Sequence, residues 1–450
     1  MQQEKYDVVV IGSGIGGLSM AALLAHGGYR TLVVERMERI GGRCSTEEYE
    51  GFKLPTGAIA IHRGDEVEEV FKRVGTEMEM VDVPPLFYRL LGKDYEMPAK
   101  GSISTMLDIL GKLDVDRARL MGGLLKEGGK EKIMGAFRRS IASPEKETLT
   151  FKDWLLQYTE NDLAHEIFDT ITCALLGCHT FEVPASAIFA WFVKMGGGRD
   201  VGTAPRGNLV NMEKLADVVK KNGDAWTNCP AKQILVTRGT VQGVVVEKDG
   251  GELEIPARAV VSNAGPKRTI DLAGEDNFDE GYLRMVRIRN RPHPCVVCFI
   301  ASDRPLWPKE GSAAILMLTG TRRIKSFVPL SSIAPELAPP GQHLLFGLAS
   351  PISSEVPMNE EEELRQVTLD IKEQLPDFEK HGRILKLDPR NVDHPLTDVS
   401  TRPGYGIPPE TPVKNLYNVG DAILAPGIVG TTAAVESSFR VFDMLKKRLK

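Results

Sequence analysis

An excess of basic charge is missing from this sequence: 56 lysine and arginine residues stand against 61 aspartate and glutamate residues, a net charge of −5 over 450 residues. A mildly acidic chain lacks the electrostatic footprint of a nucleic-acid binder, which argues against that class of partner. Long apolar runs are missing too. No stretch approaches the roughly 20 residues of a membrane-spanning helix, and the first strand begins within the first ten residues with no signal peptide before it. The expected compartment is therefore the cytoplasm. Cysteine is sparse, with six residues in all. Cys295-Val296-Val297-Cys298 is the one C-x-x-C, inside an apolar run that reads as a strand, where residues three apart face opposite sides. Without a second such pair no metal site is expected, and the thiols read as buried and reduced. Cys44 has no second cysteine in its own loop, which disfavours a redox-active disulfide there. Aromatic residues make up 6% of the chain, and none stands between Asp421 and Ser437.

What the sequence does have is a glycine-rich turn close to its start. Tyr6-Asp7-Val8-Val9-Val10-Ile11 carries a Val/Ile run that predicts a buried parallel strand. Gly12, Gly14 and Gly17 follow in G-x-G-x-x-G spacing, and an Ala/Leu-rich helix begins at once. The first glycine allows the tight turn, the second lets a pyrophosphate approach the backbone, and the third lets helix and strand pack closely. Ser13, Ile15 and Gly16 complete the loop, with the free N–H groups of the helix start turned to the anion. A second strand, Tyr29 to Glu35, ends in an acid 18 residues after Gly17. That is the position from which a carboxylate grips a ribose diol, so strand, glycines, helix, strand and acid come in the order a dinucleotide needs.

Arg36 to Arg43 then adds Gly41-Gly42-Arg43 directly after the acid. Here the chain resembles the FAD-binding proteins with two dinucleotide motifs, which carry an acid followed within a few residues by Gly-Gly-Arg beside the FAD phosphates. The resemblance implies a cofactor role for Arg36, Gly42 and Arg43. It also implies that Gly57, Ala58 and Ile59 return beside the flavin, that Ala231 meets the adenine, and that the strand ending in Ser262-Asn263-Ala264 lies against FAD. Gly420 and Asp421 are assigned to ribityl or phosphate oxygens. Val429, Thr431 and Thr432 open the last helix, whose N–H groups would point at the flavin pyrimidine edge. Three matches, 12–43, 257–265 and 415–438, occur in family order and place the resemblance in the phytoene desaturase, carotenoid isomerase and flavin amine oxidase superfamily. Ala433 and Ser438 depart from it, standing where glycines are usual.

The expected fold is α/β: a Rossmann-type FAD-binding domain of the glutathione-reductase kind, made of residues 1–75, 205–275 and 385–450, interleaved with an α+β substrate domain of residues 76–204 and 276–384. In the second domain a hairpin is predicted over 87–98 with its turn at Gly92-Lys93-Asp94, then mostly helix from 100 to 200. The stretch from Leu120 to Arg139 mixes apolar and basic residues and reads either as a solvated face or as a peripheral membrane contact. Pro294 to Leu306 resembles the long strand that floors the substrate cavity in that superfamily. Gly196-Gly197-Gly198 has no strand before it, so no built-in NADPH domain is expected, and the electron partner stays open between oxygen, a quinone and a diffusible reductant.

The function implied is that of an FAD-dependent oxidoreductase with non-covalent FAD, moving hydride between flavin N5 and a carbon of a lipophilic, isoprenoid-like or cyclic alkene substrate, so that a C=C bond is formed, reduced or isomerised. A flavin amine or amino-acid oxidase and a non-catalytic, escort-like FAD-binding protein are the alternatives. Amine oxidases typically flank the flavin with aromatic rings, one from the segment after the last strand. The corresponding loop here, Ala422 to Thr432, is aliphatic, which favours hydrocarbon. His62 and Tyr405 are the candidate catalytic residues, each reading equally as a structural histidine and a structural turn tyrosine.

Overall fold

The computed structural model describes residues 6–83, 86–97, 110–111, 116, 118–120, 122–127, 129, 149–195, 201–308, 314–423 and 425–449. Val8, Val9 and Val10 are fully buried because strand Tyr6–Ile11 lies in the middle of a parallel sheet covered on both faces, where β-branched side chains pack well. Thr31–Val34 pairs with it on one side, Val10 opposite Val33, and Gly251–Ser262 on the other, Val10 opposite Val261. Gly223–Trp226 extends the sheet at one edge and Leu416–Asn418 at the other. Gly251–Ser262 belongs to two systems. Its first half closes an antiparallel meander with Ala231–Thr237 and Thr240–Lys248, and its second half joins the parallel sheet. This is the expected Rossmann-type α/β arrangement.

Helix Ile15–His26 is buried along its whole length from Ile15 to Ala25, as suits a helix apolar on every side. It is wedged between the sheet and helices Leu209–Val219 and Gly430–Arg448. On the other face of the sheet, helices Pro266–Ala273 and Glu280–Arg289 and the link between them bring Ile270, Phe278, Tyr282 and Val286 into one core with Val9, Leu32 and Val260. Residues 276–289, expected in the second domain, therefore pack on the first sheet.

The second sheet has seven strands in the order Gly382–Arg390, Cys295–Ser302, His343–Ala349, Ile324–Val328, Ile315–Leu318, Leu86–Leu90 and Lys93–Met97. Residues 385–390, expected in the FAD domain, lie here because Gly382–Arg390 pairs antiparallel with Cys295–Ser302. The predicted hairpin is present, but it turns one residue early, at Leu91-Gly92. Both have positive φ, the conformation that a two-residue turn between twisted strands requires. Strand periodicity sends Cys298 into the core under helix Glu360–Gln374 and Cys295 into the opposite core with Phe52 and Phe346. All six cysteines are buried and free.

Helices Phe151–Leu156, Asp162–Leu176 and Ala185–Met195 cover the second sheet around a cluster of Phe151, Trp154, Phe168 and Phe189. A buried polar knot ties this layer to the sheet. Asp169 accepts hydrogen bonds from His179 Nδ1 (2.9 Å), the Thr180 N–H (3.0 Å) and Lys325 Nζ (3.2 Å). His179 Nε2 reaches the Pro351 carbonyl at 2.7 Å. With an acceptor at each ring nitrogen, His179 is held as imidazolium. Beside it, Arg402 bridges Glu182 and Glu355. Among the described residues no helix is long and apolar enough to cross a membrane. Most of the Leu120–Arg139 stretch and all of Gly196–Gly198 lie outside the described residues.

Candidate active site

The parallel strands end at one edge, and their carboxyl ends bring Gly12, Glu35, Asn263 and Gly420 together. An open α/β sheet leaves its ligand crevice there. Gly17 lies so close to the preceding turn that an added Cβ would sit on the Gly12 carbonyl oxygen. The Asn263 side chain is wedged among three further glycines: a Cβ at Gly14 would approach its Nδ2 at 2.5 Å, and Cβ atoms at Gly16 and Gly420 its Oδ1 at 2.9 and 3.0 Å. Any side chain at those positions would fill the crevice.

Two helices, Ile15–His26 and Gly430–Arg448, start at this crevice, and neither has a side-chain cap. Each leaves first-turn N–H groups and the positive end of its dipole to a ligand. Gly14, Ile15, Gly16, Val429, Gly430, Thr431 and Thr432 line the cavity they face. Thr432 is held by its hydroxyl, which donates to Asp65 Oδ2 at 2.6 Å. Asp65 itself caps helix Glu66–Arg73 by accepting from the Val67 N–H.

Glu35 stands behind the glycine loop and is not itself part of the cavity lining. Its carboxylate accepts from the Ser13 N–H (2.8 Å), the Ser13 hydroxyl (2.7 Å) and the Met37 N–H (2.9 Å), so the acid is tied directly to the glycine loop. Arg43 and Asp421, far apart in sequence, form a two-pronged ion pair at 2.7 and 2.5 Å. Burial alone would raise the Asp421 carboxyl, but the facing Arg43 guanidinium holds it below the ordinary carboxylate range. Arg43, expected as a phosphate or ribityl neighbour, has its guanidinium fork on Asp421, and the pair as a unit forms part of the cavity wall.

The cavity measures about 1190 Å³ and runs from this crevice to the second sheet. At the far end its wall is apolar, made by Tyr88, Trp191, Phe192, Ile315, Met317 and Phe346. Gly57, Ala58, Ile59, His62, Asn263 and Ala264 line it between the two ends. Five of the predicted residues, Gly12, Ser13, Gly17, Glu35 and Gly42, stand behind the wall and not in it. Arg36 is exposed, and Ala231 pairs with Val246 in the meander; neither borders the cavity. Tyr405 is a correction. It is not a lining residue but closes a turn on the Arg402 carbonyl, with the Arg402 guanidinium 5.7 Å from its ring. Two residues escaped the sequence reading: Asp65, for which the residue before an apolar-periodic helix was a usable capping signal, and Asp398, which carries no local signal at all.

The uncapped helix starts, the side-chain-free glycine cradle and the acid at the second strand form a donor and acceptor set that fits a flavin dinucleotide. The chain matches the family described as flavin containing amine oxidoreductase over residues 15–441. An oxidoreductase from Methanosarcina mazei has the same fold, with a TM-score of 0.81 at 24% identity over 97% of this chain and 99% of that one. Human flavin-containing amine oxidase B is 24% identical over 70% of this chain and 61% of its own length. Human all-trans-retinol 13,14-reductase is 51% identical over 63 residues, 14% of this chain and 10% of that enzyme. The chain is an FAD-dependent oxidoreductase and belongs to the flavin-containing amine oxidoreductase family.

Proposed function

We propose that this oxidoreductase acts on a carbon–carbon bond of a lipophilic, isoprenoid-like or cyclic alkene substrate. The observation that carries the reading is the far wall of the cavity, where Tyr88, Trp191, Phe192, Ile315, Met317 and Phe346 offer apolar surface. Such a wall binds hydrocarbon by burying it and excludes water from the reaction. FAD, when bound, supplies a hydride acceptor or donor. In this reading the N–H groups of Ile15 and Gly16 hold the pyrophosphate, Glu35 the ribose, and the start of helix Gly430–Arg448 the pyrimidine edge.

Two measurements test these roles. Glu35→Ala should weaken FAD retention by about 1.5–3 kcal/mol, the range for hydrogen bonds to a charged group; unchanged affinity in a dialysis titration would remove Glu35 from the site. Substrate class is tested by anaerobic flavin spectroscopy. Polyenes or cyclic alkenes should bleach the oxidised flavin or reoxidise the reduced one. Fast bleaching by primary or secondary amines, with no response to alkenes in either direction, would establish the second reading, an amine oxidase. That reading is favoured by one observation: the match to human amine oxidase B extends over 70% of this chain, and the match to the retinol reductase over 14%.

A further inference from the structure

We propose that Asp398 is the proton-carrying residue of the cavity, exchanging a proton with the substrate carbon next to the one that exchanges hydride. The inference rests on the carbon–carbon reading above. Asp398 borders the cavity, and its Oδ2 is buried with no hydrogen-bond partner. The backbone around it is pinned on both sides: its N–H donates to the His293 carbonyl at 3.1 Å, and its carbonyl accepts from Arg43 Nη1 at 3.1 Å. The backbone is thus fixed at the cavity edge while the inner carboxylate oxygen, packed over Gly177, stays unpaired, the reverse of how a structural carboxylate is treated. Space for it is made by Gly177, the left-handed residue that ends helix Asp162–Leu176. A Cβ on Gly177 would lie 2.8 Å from Asp398 Oδ2.

Among the described residues, the other titratable groups of the wall apart from His62 are occupied or out of range. Asp421 is neutralised by Arg43. Arg390 is committed to Asp388 and to the Thr56 and Leu396 carbonyls. Asp82 is an exposed partner of Arg63. Burial pushes Cys44 up to about 12 and raises Cys295 and Tyr88 well above their usual values. Facing Asp398 are Arg43, Arg390, Asp421 and Cys295. Burial, reinforced by Asp421, outweighs the two guanidinium groups and lifts the Asp398 carboxyl to about 7, a value suited to giving and taking a proton near neutrality. His62 is the remaining rival on the wall.

In the reducing direction the alkene π pair takes the Asp398 proton at one carbon while the neighbouring carbon receives the hydride equivalent of a reduced flavin. Two C–H bonds form, the π bond is lost, and a carboxylate remains to be reprotonated from water. Oxidation is the reverse: the carboxylate removes a proton and the hydride leaves to oxidised flavin. Reduction therefore needs the protonated acid and should fall as pH rises through about 7; oxidation needs the carboxylate and should fall as pH drops through the same value.

The test compares FAD-loaded wild type with Asp398→Asn and Asp398→Glu. Infrared spectra of the holoenzyme should show a protonated-carboxyl band that titrates near neutral pH and disappears in Asp398→Asn. With a conjugated isoprenoid polyene, Asp398→Asn should keep its FAD, slow the flavin redox step by about 10²–10⁴-fold and flatten the pH profile, and Asp398→Glu should restore a shifted profile. A titrating band that persists in Asp398→Asn overturns the proposal. So does an unflattened profile, or flattening produced by His62→Ala alone. Should Asp398→Asn fail to fold, an unshifted profile in Asp398→Glu overturns it equally. Failure of the carbon–carbon reading is recognised separately, by amines bleaching the flavin while the carboxyl band still titrates; the proposed proton exchange with an alkene carbon then falls with that reading.

Discussion

Asp169→Asn is expected to lower the free energy of unfolding by about 3–5 kcal/mol, the range for removing one partner of a buried ion pair. Asp169 is the single acceptor shared by His179, Lys325 and Thr180. His179 and Lys325 are 4% and 8% exposed, so the variant leaves two cations facing a neutral amide with little water to replace the lost charge. The pH dependence follows from the same contacts. Burial alone would raise Asp169, but His179 and Lys325 hold it well below the usual carboxylate range. Its contribution is present above the unfolded value of about 3.9 and is lost as pH falls toward the depressed one. Burial alone would lower His179, but Cys173 and Asp169 push it up to about 11. Its contribution is complete below the unfolded value of about 6.5 and is lost progressively as pH rises through about 11. The knot thus contributes fully between about pH 4 and 6.5, and the two partners express one shared interaction rather than two. Denaturant titrations across pH check this. A loss under 1 kcal/mol, or a pH dependence identical to wild type, would show that the knot is not what joins helix Asp162–Leu176 to strand Ile324–Val328.

The second large effect is expected at Gly17. Gly17→Ala should give protein that purifies colourless, with FAD affinity reduced a hundredfold or more, about 2.8 kcal/mol. The new Cβ would overlap the Gly12 carbonyl oxygen, a backbone atom at the end of the central strand. Helix Ile15–His26 must shift, and the N–H groups of Ile15 and Gly16 shift with it. Gly251→Ala is the control: its Cβ would meet nothing nearer than the Lys248 carbonyl at 3.9 Å, and it should retain its flavin. The ratio of flavin to protein absorbance, read beside the melting temperature, separates lost binding from lost folding. Full flavin content in Gly17→Ala would contradict the close packing of helix on strand.

What could be read from the sequence was whatever is written in short-range periodicity and turn chemistry. The Val-rich first strand, the G-x-G-x-x-G turn, the acid at Glu35, the hairpin near Gly92 and the strand ending at Ser262 each lie within a few residues of the signal that announces them. A period of two or 3.6, a glycine at a positive φ or an acid at a strand end is a local property, and those elements stand within a residue or two of where they were expected. Tertiary structure decided the rest, because its partners are remote in the chain. Nothing near Arg43 foretells that Asp421, 378 residues on, takes its guanidinium. Nothing near Glu280–Arg289 or Gly382–Arg390 says which sheet they cover or extend, since a strand's neighbour and a helix's apolar partner are chosen by chain closure over long loops. Asp398 is the clearest case. It is an unremarkable acid in a polar loop until the fold sets it over Gly177, and only there do burial and a missing partner give its carboxyl a chemistry of its own.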